Sequence, residues 1–174
     1  MTDAGGASVH ASAVRIGDRG VLIRGPSGSG KSRLAFDLIS GRSGQIAPAI
    51  LVGDDRVRLD TDAGQLHVRP ARELAGLIEV RGLGIRRCEF AEEAIVGLVV
   101  DLAAADGERL PPPEALSTRI FGVLIPRIPV GAGYSPLPLV VAALMTTESS
   151  SSVNHSADCV KGIGNHIRPT IATE

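Results

Sequence analysis

The glycine-rich octet at residues 25–32, GPSGSGKS, is the clearest sign of chemistry in this chain of 174 residues. Its order of glycine, four residues, glycine, lysine and serine is the phosphate-loop pattern. Glycines let successive backbone N–H groups converge on phosphate oxygens, Lys31 supplies a compact positive charge, and the Ser32 hydroxyl can bind Mg²⁺. The octet therefore predicts binding of nucleotide phosphates with Mg²⁺. Its members are Gly25, Pro26, Ser27, Gly28, Ser29, Gly30, Lys31 and Ser32.

Carboxylates that could serve the phosphates occur in two places. Asp54 and Asp55 follow a predicted buried strand, at the end where open α/β sheets bind ligands. Adjacent strand residues face opposite sides, so one carboxylate can face metal and phosphates while the other anchors a turn or activates an acceptor. Asp101 follows the apolar run IVGLVV and is a rival for the metal-side aspartate. The pattern alone leaves both places open.

Three further polar residues are candidates. Glu79 and Arg81 are two positions apart on a predicted strand, so they share one face beside a Gly-Leu-Gly turn. Together they could hold Mg²⁺ and a phosphate oxygen, or they could form an exposed, ion-paired strand face. His10 lies 21 positions before Lys31, on the strand whose hairpin partner enters the octet. It is either a group near the acceptor site or a lone surface histidine.

The elements that must position these residues are predicted to be mostly strands, with two helices. Residues 9–16 and 21–24 predict a hairpin that leads into the octet, and residues 32–40 predict the helix after it. A second hairpin is predicted from residues 56–60 and 65–69, and a second helix from 137–145. Further strands are predicted at residues 49–52, 77–80, 95–102 and 120–125. Residues 146–174 are polar and without period, which predicts a flexible tail.

Composition restricts the class of protein. Apolar residues make up 44% of the chain but aromatics only 2%, so Val, Leu, Ile and Ala must form the core, as in a buried α/β sheet. A net charge of −1 gives no general attraction to nucleic acid or to anionic membranes. The chain has neither an apolar run long enough to span a membrane nor a signal peptide. Cys88 and Cys159 lack metal-ligand spacing and are typical of reduced thiols, so we expect a cytoplasmic protein.

The order of His10, GVLIRGPSGSGKS, LVGDDRV and IEVRGLGI resembles the catalytic domain of the bacterial HPr kinase/phosphorylase family. The resemblance covers roughly residues 8–145, and its most specific parts are the double aspartate followed by Arg-Val and the IEVRGLGI stretch. It implies a phosphate-loop α/β domain with a mixed sheet, related to phosphoenolpyruvate carboxykinase and usually assembled as a hexamer. We therefore expect an HPr kinase-like catalytic domain at residues 1–145, followed by the tail.

By this resemblance the chain would be a serine kinase that uses ATP and Mg²⁺ and phosphorylates HPr, a small phosphocarrier of the bacterial sugar phosphotransferase system. Many family members also reverse the modification with inorganic phosphate and release pyrophosphate. The resemblance assigns Mg²⁺ to Ser32 and Glu79, and it leaves Asp101 a structural role. It assigns the chemistry to His10, Lys31, one of Asp54 or Asp55, Arg81, and Arg109 in the stretch GERLP.

The sequence departs from the family pattern at several points, including the shortened segment before Arg109 and the polar tail after Thr146. Nine residues precede His10, so we expect a short form with the catalytic domain alone. The family's Pro-Val-x-Pro-Gly-Arg-Asn stretch, associated with dephosphorylation, is replaced by LIPRIPVGAGYSP, which favours a kinase over a phosphorylase. Two other functions stay open: a kinase of small molecules on the same scaffold, and an ATP-sensing regulatory protein without catalysis.

Overall fold

The computed structural model describes residues 6–41 and 46–146, which form an α/β structure around a mixed sheet. Two α-helices are present in this part of the chain, α1 (Lys31–Ile39) and α2 (Pro136–Met145). Neither described helix is long and apolar enough to cross a membrane. The strands are β1 (Ala7–Val9), β2 (Ser12–Ile16), β3 (Arg19–Arg24), β4 (Ala49–Gly53), β5 (Val57–Asp62), β6 (Gln65–Pro70), β7 (Leu77–Val80), β8 (Gly84–Arg87), β9 (Ala94–Leu102), β10 (Ser117–Ile120) and β11 (Val123–Val130).

The predicted hairpin that leads into the glycine-rich octet is confirmed. Strands β2 and β3 pair antiparallel around a turn at Gly17, whose φ of 57° suits glycine. On its other edge β2 pairs antiparallel with β4, the strand that ends at Gly53, directly before Asp54. The sheet thus brings the start of the octet and the double aspartate to neighbouring positions on three adjacent strands.

Strand β9 organises the centre of the sheet. It pairs parallel with β3 along one edge, and on its other edge it pairs antiparallel with β6 and then parallel with β11. Because β3, β9 and β11 run in the same direction, their carboxyl ends meet at one edge of the sheet. The octet, the loop after Leu102 and the turn after Val130 all leave from that edge.

Both faces of the sheet are buried, as the run of apolar residues in β3 predicts. Val21 and Ile23 belong to a cluster on the face covered by the two helices, which contribute Leu34 and Val140. Leu22 points to the opposite face, where it joins a second cluster with residues of the β5–β6 hairpin. Strand residues alternate between faces, so one short strand supplies both cores.

Two expectations about elements are wrong. Residues 120–125 do not form one strand, because Phe121 and Gly122 make the turn of the β10–β11 hairpin, with φ of 47° and 82°. His10 does not lie on the hairpin strand. It lies at the break between β1 and β2, and β1 pairs with β5 instead. His10 thus lies in the connection between two strands that pair with different neighbours.

The remaining expectations agree with the described residues. The second hairpin is confirmed as β5 and β6 around Ala63 and Gly64, with φ of 47° and 78°. Strand β7 is confirmed, and it pairs with β8, which the sequence interpretation did not include. Both helices begin one residue earlier than predicted. Residues 147–174 of the predicted tail lie outside the described residues, and the boundary at residue 145 stays a prediction.

Candidate functional site

The glycine-rich loop, residues 25–30, connects β3 to α1. Its three glycines all have positive φ, 149° at Gly25, 79° at Gly28 and 97° at Gly30. A Cβ at Gly25 would lie 2.7 Å from Oγ of Ser29 and 3.0 Å from Cβ of Leu102, whereas at Gly28 and Gly30 it would meet open space. Glycine is therefore required at position 25 for close packing as well as for backbone conformation.

Lys31 is the first residue of α1 and is only 6% exposed. Its Nζ donates hydrogen bonds to the carbonyl oxygens of Gly25 and Pro26, at 3.0 and 3.1 Å. Burial lowers the pKa of Lys31, and the carboxylates of Asp54 and Asp55 oppose this shift without cancelling it. The ammonium group is thus held at the loop, within the electrostatic reach of both aspartates.

Two hydroxyls accompany Lys31. Oγ of Ser29 is buried and has no hydrogen-bond partner among the described residues. A buried hydroxyl without a partner is costly, which points to a group that binds here. Ser32 lies partly exposed in the first turn of α1, where backbone N–H groups have no partners within the helix.

Asp54 is a buried carboxylate, 3% exposed, and each of its oxygens accepts a hydrogen bond. Ser12 donates a hydrogen bond of 2.5 Å to Oδ1, and the backbone N–H of Glu79 donates one of 3.1 Å to Oδ2. The sequence interpretation missed Ser12. Its position in a buried strand, between alanines, was the available signal, because a buried hydroxyl needs a polar partner.

Asp55 has the opposite environment. Its side chain is 68% exposed, and Oδ1 lies 3.8 Å from Nδ1 of His10. Its φ of 64° places it in the left-handed region, which aspartate tolerates better than most residues. The two carboxylates therefore have different environments, as expected, but the cause is the turn after β4 and not strand alternation, because β4 ends at Gly53. The structure also brings His10 to the site, although from a connection and not from a strand.

Glu79 and Arg81 lie beside this group on the β7–β8 hairpin. Both side chains are exposed while Ile78 is buried against the core. Arg81 lies in the turn after β7, so the shared strand face expected from the sequence for the two side chains does not apply to it. The bond from the Glu79 backbone to Asp54 fixes β7 at the site. In residues 6–41 and 46–146, no three histidine, cysteine, aspartate or glutamate side chains form a group that could hold a metal ion.

Arg81 and Arg109 are exposed and make no hydrogen bond or ion pair with other residues of the described ranges. Arg109 lies in the loop after β9, which leaves the same sheet edge as the glycine-rich loop. The structure therefore places Arg109 on the correct side of the sheet but does not bring its side chain into contact with the other candidates.

Asp101, the rival carboxylate, accepts hydrogen bonds from two arginines. Nε and Nη2 of Arg24 donate to its two oxygens at 2.7 Å, and Nε of Arg127 donates to Oδ2 at 2.5 Å. Burial would raise the pKa of Asp101, but these hydrogen bonds and charges outweigh it and hold the pKa below its ordinary value. The sequence interpretation missed both arginines. The structural role expected for Asp101 agrees with this network.

Comparisons with known proteins show which proteins this chain resembles. The model of the HPr Serine kinase C-terminal domain matches residues 4–161. The HPr kinase/phosphorylase of Mycoplasma mycoides subsp. mycoides is 33% identical over 152 residues, and the match covers 79% of this chain and 47% of that protein. The HPr kinase/phosphorylase of Bordetella pertussis is 36% identical over 154 residues, covering 80% and 48%. The chain thus spans about half the length of the curated relatives it matches.

Among solved structures, the Hpr(Ser) kinase/phosphatase from Coxiella burnetii is similar, with a TM-score of 0.63 and 28% sequence identity. That match covers 80% of this chain and 93% of the other. The matched residues contain the glycine-rich loop, the double aspartate and the β7–β8 hairpin. Since the family model extends over most of the sequence, this chain belongs to the HPr Serine kinase C-terminal domain family.

Proposed function

We propose that this chain is a protein serine kinase domain that transfers the γ-phosphoryl group of ATP to a serine of an HPr-type phosphocarrier. Membership of the family supports this function. The observation that carries it is the setting of Asp55, which is open to an incoming protein, lies 3.8 Å from His10, and acts electrostatically on the buried Lys31. Asp55, the proposed proton acceptor, thus lies close to Lys31, the proposed phosphate-binding cation.

The glycine-rich loop is the proposed phosphate loop of a nucleotide-binding domain related to phosphoenolpyruvate carboxykinase. Open space beside Gly28 and Gly30 leaves room for phosphate oxygens near the backbone. The partnerless hydroxyl of Ser29 and the start of α1 supply further donors. Lys31 already points into the loop, so its ammonium can exchange carbonyl partners for phosphate oxygens with little movement. These groups fit a polyphosphate.

Ser32 and Glu79 are the proposed Mg²⁺ ligands. Hydroxyl and carboxylate oxygens suit this ion, which keeps several waters and also binds substrate phosphates. Glu79 is exposed and free to turn, while its backbone is fixed against Asp54. Bound Mg²⁺ would offset the charge of the phosphates. The buried Asp54, with both oxygens occupied, has the role of positioning β7 and balancing Lys31.

Asp55 is the proposed general base. It accepts the proton of the acceptor serine hydroxyl, and that oxygen forms a bond to the γ-phosphorus while the bond to the β–γ bridging oxygen breaks and ADP leaves. His10 orients the Asp55 carboxylate. Lys31, with Arg81 and Arg109, stabilises the charge on the transferred group. In the reverse reaction an oxygen of inorganic phosphate would bond to the phosphoserine phosphorus while the bond from that phosphorus to the serine oxygen breaks. Protonated Asp55 would return its proton to the serine oxygen, and pyrophosphate would leave.

A labelling experiment tests the proposal. The protein is incubated with γ-labelled ATP, Mg²⁺ and HPr, in wild-type form and with the acceptor serine replaced by alanine. Label on wild-type HPr alone supports the serine kinase, and label on neither form contradicts it. Label on small molecules of a cell extract would instead favour a metabolite kinase, and ATP binding without transfer would favour a nucleotide sensor.

Phosphorolysis is tested by incubating phosphoserine-HPr with inorganic phosphate and measuring pyrophosphate. The sequence LIPRIPVGAGYSP favours a slow reverse reaction relative to the kinase. A homo-oligomer, a hexamer by family resemblance, and a cytoplasmic location stay predictions of the sequence.

A further inference from the structure

One guanidinium group, that of Arg127 on β11, holds both ends of a loop segment. Nη1 and Nη2 donate to the two carboxylate oxygens of Asp106 at 2.6 and 2.9 Å, and Nη1 also donates to the carbonyl oxygen of Ala115 at 3.0 Å. Residues 106–115, named here the Arg109 segment, are therefore tied to the sheet at their first and last residues. Arg109 lies between the two ties.

The Arg109 segment also rests directly on the turn after β11. A Cβ at Gly107 would lie 2.5 Å from Cα of Gly131, and a Cβ at Gly131 would overlap the carbonyl oxygen of Gly107. Next to this contact, the backbone N–H of Ala104 donates to the carbonyl oxygen of Val130 at 2.9 Å. Two backbones can approach this closely only because both positions are glycine.

The same guanidinium is linked to the glycine-rich loop. Nε of Arg127 donates to Asp101, which also accepts both hydrogen bonds from Arg24, the residue directly before Gly25. Arg24 and Asp101 are directly opposite in the parallel pairing of β3 with β9, and Pro129 is opposite Asp101 in the pairing with β11. Asp101 is thus a common anchor for the entry to the loop and for the Arg109 segment.

We propose that Arg127 is a positioning residue that holds the Arg109 segment beside the glycine-rich loop. Arg127 is largely buried and makes four hydrogen bonds to protein atoms, so it acts through Arg109 and not on the substrate. A displaced catalytic group loses much of its effect on rate, because small misplacements are costly in phosphoryl transfer. The kinetic part of this inference rests on the proposed function.

A double-mutant cycle tests the inference. The turnover number for HPr is measured for wild type, Arg127→Gln, Arg109→Ala and the double variant. We expect Arg127→Gln to lower kcat at least about tenfold. The double variant should match Arg109→Ala within about twofold, because both substitutions remove the same contribution of Arg109 to catalysis. Losses that multiply in the double variant would show that Arg127 acts independently of Arg109 and would overturn the proposal.

Arg119→Gln is the matched control. Arg119 belongs to the same β10–β11 hairpin and donates to the carbonyl oxygen of Gly122 at its exposed turn, so this change removes an equal charge away from the segment. Its kcat should stay within about twofold of wild type. Asp106→Asn is a milder variant that keeps the bond from Arg127 to Asp101, and it should lower kcat in the same direction if Arg127→Gln folds poorly.

Hydrogen exchange gives a readout that does not depend on activity. Amide exchange in residues 103–116 should be at least about tenfold faster in Arg127→Gln than in wild type, and unchanged in Arg119→Gln. Unchanged exchange in Arg127→Gln and Asp106→Asn would overturn the proposal whatever the kinetics. Faster exchange in a protein whose wild type does not phosphorylate HPr would support the positioning of the segment and contradict the proposed function.

Discussion

The Ser12 hydroxyl donates a hydrogen bond of 2.5 Å to Oδ1 of Asp54, and both side chains are enclosed by the sheet. This pair explains how a carboxylate is tolerated in an apolar setting beside Lys31, since buried charges need partners. It also separates the two aspartates, because Asp54 is held by protein groups while Asp55 faces solvent and His10.

Replacing Ser12 by alanine should destabilise the protein. Removal of the hydroxyl leaves Oδ1 of Asp54 buried without its partner, which costs about 1–3 kcal/mol. The free energy of unfolding, measured by urea titration, should fall by that amount. Ser8→Ala is the matched control, because Ser8 is exposed and its hydroxyl only accepts a weak 3.5 Å bond from Arg56. Equal values for the two variants would contradict the importance of the Ser12 bond.

Asparagine at position 55 should abolish transfer and leave nucleotide binding nearly intact. Loss of a general base lowers turnover by about 10²–10⁴-fold, while the exposed amide keeps the shape of the carboxylate. Turnover is followed with labelled ATP and HPr, and affinity with a fluorescent ATP analogue. Asp62→Asn, at an exposed position in the β5–β6 hairpin, is the control and should change neither quantity. An equal loss of nucleotide affinity would identify Asp55 as a metal ligand instead.

Asparagine at position 54 should act differently. Its amide nitrogen would face either the Ser12 hydroxyl or the Glu79 N–H, and the negative charge beside Lys31 would be lost. When the amide nitrogen faces Glu79, the backbone N–H of Glu79 has no acceptor, which costs about 1–3 kcal/mol. We therefore expect lower stability in thermal unfolding together with weaker nucleotide binding. A fully stable Asp54→Asn that loses only turnover would transfer the role of base to Asp54.

Alanine at Gly25 should prevent nucleotide binding. The new Cβ would press on Ser29 and Leu102, and the φ of 149° is unfavourable for alanine, so the glycine-rich loop must move. Gly64→Ala is the control, because it has a positive φ of 78° but open space in a different turn. It should cost about 1–2 kcal/mol of stability without a change in affinity, measured with the same fluorescent nucleotide. Normal affinity of Gly25→Ala would contradict the proposed phosphate loop.

The stabilisation by Asp101 should disappear in acid. Arg24 and Arg127 face its carboxylate and hold its pKa below the unfolded value. A lowered pKa contributes stability that is fully present above the unfolded pKa, about 4, and is lost as the pH falls through the folded pKa. The difference in unfolding free energy between wild type and Asp101→Asn should therefore shrink from pH 6 to about pH 2. A difference that is constant over this range would contradict the ion pairs.

The elements of this site were largely predictable from local patterns. The octet, the hairpin before it and the helix after it follow from glycine spacing and apolar periodicity, which act over a few neighbouring residues. The opposite environments of Asp54 and Asp55 were expected from strand alternation, but they arise in the turn after β4, where Asp55 has a positive φ. The turn at Phe121 was missed because a phenylalanine at positive φ is rare, and the following Gly122 was the only local signal.

The sequence by itself determined the phosphate-binding pattern, the buried strands and the family resemblance, because these depend on residue type and short spacing. Only the tertiary structure shows which groups surround each of the two acidic places. The parallel pairing of β3 with β9 sets Arg24 opposite Asp101, and Arg127 arrives from β11 to complete the neutralisation. Those partners are 77 and 26 residues from Asp101 in the sequence, so the local sequence around Asp101 could not predict them. Asp54 and Asp55 remain beside Lys31 because strand order, set by burial of both sheet faces, places them there.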